Sequence, residues 1–232
     1  MHRYAIDSLI FLIHPTQRTF MHIEPGLLAQ PKLLLAAGAA AVVFLPYLPT
    51  LLKKPTLWLR TALAAVFFSL FMQSFHMQAG PSELHFVGAI PIYLAFGFIP
   101  TLFAFGFGLL LQGMLFEPQD LTHLAVNTLS LAVPLIALHY TLGRKLNEVT
   151  IATLLKLDAA YYAGVVAMVG FWLAQAQTGV TFANWALFAS SYLPLVVLEP
   201  LLTVAILWIL QRCGHTRLGS VCFAGRTTPT TA

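Results

Sequence analysis

Long uncharged stretches, divided by tight clusters of charge, run the length of this chain. Leu33 to Leu52, between Lys32 and Lys53, is twenty residues without a formal charge, and ~20 apolar residues in a helix cross the ~30 Å hydrocarbon core of a bilayer. This predicts a first transmembrane helix. Thr61 to Phe75, after Arg60, predicts a second, and Leu121 to Gly143 a later one. The forty uncharged residues from Ala159 to Leu198 carry a polar break at Gln175, Gln177, Thr178, Gly179 and Asn184, so they divide into two helices. The second runs on through Glu199 to about Leu210, because the thirteen residues from Ala186 to Leu198 are too few to cross alone.

Leu84 to Phe116, thirty-three uncharged residues, is too long for one upright helix and short for two. Charge settles the count. Basic loops stay in the cytoplasm, which puts Lys53, Lys54 and Arg60 on the same side as Arg144, Lys145 and Lys156, so an even number of crossings separates them. Two short helices, turning near Gly97 to Pro100 where Gly and Pro favour a break, satisfy that condition. The expected fold is all-α and polytopic, with about seven transmembrane helices, the N-terminal side outside and the tail with Arg212, Arg217 and Arg226 inside. The outer loops then hold Glu83, Glu117, Asp120, His76, His85 and His123, together with Gln175 to Asn184. Carboxylates and imidazoles gathered there suit capture of a cation; equally, polar loops simply contain polar residues.

Composition agrees with the pattern. Of 232 residues, 59% are apolar and 9% charged, against ~25% charged in an ordinary soluble domain. A water-soluble globule and a disordered chain are thereby excluded. The net charge of +4 does not point to nucleic acid, because nine of the twelve basic residues fall on the side assigned to the cytoplasm. Cys213 and Cys222 lie in the tail with eight residues between them, His215 among these. That is not zinc-site spacing, and reduced thiols are expected.

The domain boundaries follow: residues 1–20 as an upstream extension or leader outside the fold, 21–211 as a membrane-embedded metal-binding domain, and 212–232 as a cytoplasmic tail. The apolar run Ala5 to Ile13, interrupted by Asp7, is too short to span. Arg18-Thr19-Phe20 is not the small-residue site that a signal peptidase prefers. Met21-His22-Ile23-Glu24-Pro25-Gly26 offers another reading, a reading frame extended upstream of a true start at Met21.

With Met21 as terminus, its free amine and the amide and imidazole nitrogens of His22 chelate one metal through two fused rings. Three nitrogens in a plane leave room for a fourth, the square that Ni(II) and Cu(II) favour and low-spin Co(II) accepts. Binding expels protons from amine and amide, so affinity rises with pH. The candidate fourth donor is His85, in Ser82-Glu83-Leu84-His85-Phe86-Val87-Gly88, on the same side of the membrane as Met21. A lone His at an interface is otherwise a hydrogen-bonded anchor.

These residues resemble a family, the substrate-binding membrane component of energy-coupling-factor transporters for cobalt and nickel, the CbiM/NikM type. The resemblance begins at Met21-His22-Ile23 with Gly26. It continues through Gly80-Pro81-Ser82-Glu83-Leu84-His85 with Gly88, Leu110-Leu111-Gln112-Gly113-Met114-Leu115-Phe116, Leu121-Thr122-His123-Leu124-Ala125-Val126-Asn127 and Leu198-Glu199-Pro200. The family's Gly-rich loop is reduced to Ala79-Gly80, and Ala125-Val126 stands where the family has Gly-Ala before Asn127. The resemblance implies a bacterial inner-membrane importer subunit whose transported substrate, Co(II) or Ni(II), is held by the Met21 amine, the amide and imidazole of His22, and His85. It implies no organic cofactor. The implied partners are a membrane coupling subunit, a pair of ATPases and a small accessory membrane subunit. The chain itself has no GxxxxGK[ST] phosphate loop and does not hydrolyse ATP.

Glu199 sits mid-span, where an ionisable group needs a partner or an interior position. A polar clasp with Asn127 or Gln112 is expected, and those two amides alternatively orient His85. His76, Met77 and His123 are read as interfacial polar residues rather than ligands, and Ala36 to Ala41 with Gly38 as a smooth face for a neighbouring helix. Two other classes stay open: a non-transporting membrane scaffold, and a His-dependent membrane enzyme. For the latter the chain lacks a GxSxG elbow, and His139 is the one His in a span's core.

Overall fold

The computed structural model describes residues 28–74, 76–79, 82–146, 148–176, 181–214 and 216–224. Met21 and His22 lie outside them. The helices are α1 (Gln30–Phe44), α2 (Leu48–Lys53), α3 (Pro55–Ser74), α4 (Ala89–Phe96), α5 (Phe98–Leu115), α6 (Leu124–Thr141), α7 (Ile151–Leu173), α8 (Phe182–Ser191), α9 (Leu193–Gly214) and α10 (Arg217–Cys222). A two-stranded antiparallel hairpin, β1 (His76–Ala79) and β2 (Ser82–His85), links α3 to α4. Five helical stretches are long and apolar enough to cross a membrane: Pro55–Ser74, Phe98–Leu115, Pro118–Lys145, Ile151–Leu173 and Trp185–Arg212. The protein is thus the expected all-α polytopic membrane protein, with the hairpin added.

The polarity of the bundle is inverted relative to a soluble domain. Leu34, Leu35, Val42, Leu70 and Val197 are exposed, while His85, Gln112, His123, Asn127, Asp158 and Glu199 are buried. In lipid, apolar side chains cost nothing on the outside, and polar ones find partners only inside.

Two span boundaries differ from the sequence reading. The first helix stops at Phe44 rather than running to Leu52, because Pro46 and Tyr47 turn the chain before α2 begins; proline removes a helical donor and clashes with the preceding turn. The third crossing does not begin as helix at Leu84. The hairpin occupies its first part and helix starts only at Ala89, so the helical part is the eight residues of α4. Every one of those eight is buried, with α3, α5, α7 and α9 packed around them. The turn predicted between Gly97 and Pro100 falls at Gly97, whose φ of 89° favours glycine. α7 ends at Leu173 and α9 runs on past Glu199, as expected, but Asn184, expected in the break, lies in α8, and Gln177, Thr178 and Gly179 fall outside the described residues.

Close helix packing explains other choices. A side chain at Gly108 of α5 would place its Cβ 2.4 Å from Phe68 and 3.2 Å from the Ala65 carbonyl of α3. Backbone approach on that scale is what small residues provide between membrane helices. Ser69 donates its hydroxyl to the Gly108 carbonyl at 3.2 Å across the same contact.

Most of the described basic residues mark one end of the bundle, whereas Lys32, at the start of α1, donates to the Gln175 carbonyl at the other. Arg60 donates to the carbonyls of Val221 (2.8 Å) and Ser220 (3.0 Å), closing α10 against α3. Ala224 N–H reaches the Ala95 carbonyl at 2.7 Å, and Phe223 packs on Phe96. Arg144 lies over the Tyr140 ring, near Tyr47 and Phe98. The hairpin lies at the other end of α3.

Candidate metal centre

His85 closes β2, with its Cα opposite that of His76 in the antiparallel register. The side chain is 2% exposed, and Nδ1 lies 3.4 Å from the Met72 carbonyl in the last turns of α3. A proton on Nδ1 makes this contact a hydrogen bond to a backbone carbonyl, the kind of contact that orients ligating histidines. Three features hold the segment after it. Phe86 packs edge-on against Phe71 of α3, with centroids 5.4 Å apart. Gly88 caps α4 with φ of 62°, and a Cβ there would fall 2.3 Å from the Phe71 ring. Glu199 Oε1 accepts the N–H of Ile90, the second residue of α4, at 3.1 Å.

Glu199 therefore forms a clasp between helices, but not the one expected. Its partners are Ile90 and the Tyr162 hydroxyl, which donates to Oε2, in place of Asn127 or Gln112. Gln112 instead binds α3: its Nε2 donates to the Ser69 carbonyl at 2.8 Å and its Oε1 accepts from Gln73 at 3.3 Å. Asn127 is buried on α6, 6% exposed. His123 is not an interfacial surface residue. It is 1% exposed at the end of the 3-10 turn Pro118–His123, and neither ring nitrogen has a hydrogen-bond partner among the described residues.

His139, the one His expected in a span's core, stacks flat on Phe98 at 3.9 Å, and its Nδ1 lies 2.9 Å from the Tyr93 hydroxyl. It belongs to the basic end, beside Gly143 and Arg144. No cluster of three or more His, Cys, Asp or Glu suited to a metal forms among the described residues. A groove of about 720 Å³ between α1, α5 and α6 is lined mainly by apolar side chains such as Leu33, Phe44, Phe103 and Leu110, and offers a metal little. In the sequence Asp158 reads as the charged edge of a span, and so does not stand out as a functional residue. It lies two turns inside α7, fully buried beside Glu199. Its spacing from Tyr161 and Tyr162, three and four residues on, was the available signal of an inward polar face.

An α-helical, multi-pass membrane protein with polar groups turned inward is the class these features define. Within it, the chain belongs to the CbiM family, the cobalt uptake substrate-specific transmembrane region, whose model matches residues 22–216. The fold is similar to the crystal structure of a transition metal transporter, with a TM-score of 0.60 and 17% identity over 85% of this chain and 96% of that one. A comparison with functionally curated proteins returns no match. The protein is accordingly a membrane component of metal uptake.

Proposed function

We propose that the chain is the substrate-capturing subunit of an energy-coupling-factor importer for Co(II) or Ni(II). The ion is held in a plane of four nitrogens: the Met21 amine, the amide and an imidazole nitrogen of His22, and His85. Four nitrogens in a square suit Ni(II) and low-spin Co(II) and reject ions that ask for a tetrahedron. The observation that carries this reading is the placement of His85, buried with Nδ1 beside the Met72 carbonyl, on a hairpin at the end of the bundle opposite Arg60. The family match opening at residue 22 supports it. Met21 is then the functional N-terminus, with residues 1–20 outside the mature fold. The hairpin end faces outward and the tail faces the cytoplasm, where coupling and ATPase subunits, and a small accessory membrane subunit, dock. They supply the energy, and this chain has no catalytic role.

Mass spectrometry of the N-terminus in transport-competent protein tests the amine directly. A mature chain beginning at Met21 with a free amine is expected; one beginning at Met1 removes that donor and defeats the coordination. In parallel, His22→Ala and His85→Ala each abolish tight Co(II) or Ni(II) binding and ATP-dependent accumulation of the radioactive ion by cells carrying the complete system. Accumulation that never occurs, with all partners present, leaves a scaffold.

A further inference from the structure

Where α4, α7 and α9 meet, two carboxyl groups face each other inside the membrane-embedded bundle. Asp158 and Glu199 are both 0% exposed, and they lie within hydrogen-bonding reach of one another. Their surroundings are unequal. Glu199 receives two donors, the Ile90 N–H on Oε1 at 3.1 Å and the Tyr162 hydroxyl on Oε2. No donor among the described residues reaches either oxygen of Asp158, and the buried Tyr161 hydroxyl beside them also lacks a partner there. The remaining titratable group packed on the site is Tyr192, at the head of α9, whose ring lies 5.0 Å from that of Tyr162. Among the described residues, no lysine, arginine or histidine acts on either carboxyl group.

We infer that Asp158 is a proton-binding site: it stays a neutral acid, donates its proton to an ionised Glu199, and so completes the clasp that holds the head of α4. Two adjacent carboxylates cannot both ionise where no cation compensates them. The choice between them follows from the donors. A carboxylate that accepts two or three hydrogen bonds is stabilised as the anion, whereas a buried carboxyl with no donor is stabilised neutral. A proton on Asp158 gives Glu199 a third donor and removes two orphaned acceptors together. A metal cation fits worse. The free oxygens are the two of Asp158 and the Tyr161 hydroxyl, fewer than the six or more oxygens that hard cations take. A proton needs no cavity.

The clasp also reaches the candidate ligand, because Ile90 stands five residues after His85 on a segment already fixed at Gly88. That consequence rests on the proposed metal reading; the location of the proton does not.

Infrared spectroscopy of the full chain in lipid, prepared with heavy carbon in the aspartate side-chain carboxyl, reads the proton directly. Asp7, Asp120 and Asp158 are the chain's three aspartates; Asp120 stands in the 3-10 turn at the edge of its stretch, whereas Asp158 is fully buried two turns inside α7. At neutral pH the C=O stretch of a neutral carboxylic acid is expected, shifted by the aspartate label and lost in Asp158→Asn. Because no substitution is needed for the label, the result stands even where a variant fails to fold. An absent acid band, a band insensitive to the label, or one removed by sodium or magnesium salts would overturn the assignment. Titration with Co(II) supplies the second arm. Asp158→Asn keeps an N–H donor to Glu199 and binds nearly as wild type. Glu199→Gln turns an amide N–H toward a donor and loses at least ~10-fold, the scale expected when a ligand's support is removed. Equal affinities for the two variants, with the acid band as expected, would sever the link to His85 while leaving the proton on Asp158.

Discussion

Gly88 shows how little latitude the chain has next to His85. It sits at φ of 62° with the Phe71 ring where its Cβ would be. An L side chain held in the left-handed region costs ~1–3 kcal/mol, and an alanine meets the ring as well. Gly88→Ala is expected to lower thermal stability in detergent by that amount and to weaken Co(II) binding, since the strain falls three residues from His85. Adding Phe71→Ala relieves the collision but not the backbone cost, so the double variant recovers only part of the loss. Full recovery in a thermal unfolding series would show that packing alone selects glycine here. The residue scale was partly legible in the sequence. His85, Gln112 and Glu199 stood out as polar groups in apolar runs, yet the bonds they form are set by helix rotation, which side-chain type does not encode. Glu199 was expected to meet an amide and meets Ile90 and Tyr162 instead.

Breaks marked by glycine or a polar run were readable in advance; the stop at Pro46 lay in the sequence but was read through, and elements set by tertiary contact left no local signal. The break at Gly97 and the division between α7 and α9 follow local composition. The hairpin does not. Strands of four residues with no β-branched side chain, His76–Ala79 and Ser82–His85, carry little strand propensity, and the contacts that hold them come from α3 and α8. The same dependence governs α10, six residues long and too short to persist alone. Its last carbonyls, Ser220 and Val221, are satisfied by the Arg60 guanidinium. Arg60→Ala leaves those carbonyls to water and removes a partly exposed contact worth ~1 kcal/mol, which makes local opening of the tail roughly 5-fold more frequent. Trypsin cleavage at Arg217 in detergent should accelerate by that factor, while Co(II) affinity at the distant hairpin end stays unchanged. Cleavage at the wild-type rate would show that Ala224 and Phe223, through Ala95 and Phe96, suffice to dock the helix.

Seen whole, the molecule separates its chemistry by depth. Lysine and arginine, Lys32 apart, gather at the end closed by α10, the hairpin with His85 occupies the opposite end, and between them lie the carboxyl pair and the polar contacts of α3 with α5. Uncharged length and the clustering of basic residues make the helical, polytopic part of this arrangement legible in the sequence, because crossing lipid imposes both. The same rule predicts an orientation that labelling can read. The tail carries Cys222, a free thiol, and Cys213 near the end of α9; at the other end, Ala183 is exposed at the start of α8. With the basic end in the cytoplasm, a membrane-impermeant maleimide leaves the native thiols unmodified in intact cells and labels them in inverted vesicles. In a chain with Cys213→Ser and Cys222→Ser, Ala183→Cys gives the reverse pattern. If both positions label from the same face, the number of crossings between them is even, and the path from α8 through α9 would have to be redrawn. If each labels from the face opposite to the one expected, the hairpin end faces the cytoplasm, and capture of an external ion by His85 is ruled out.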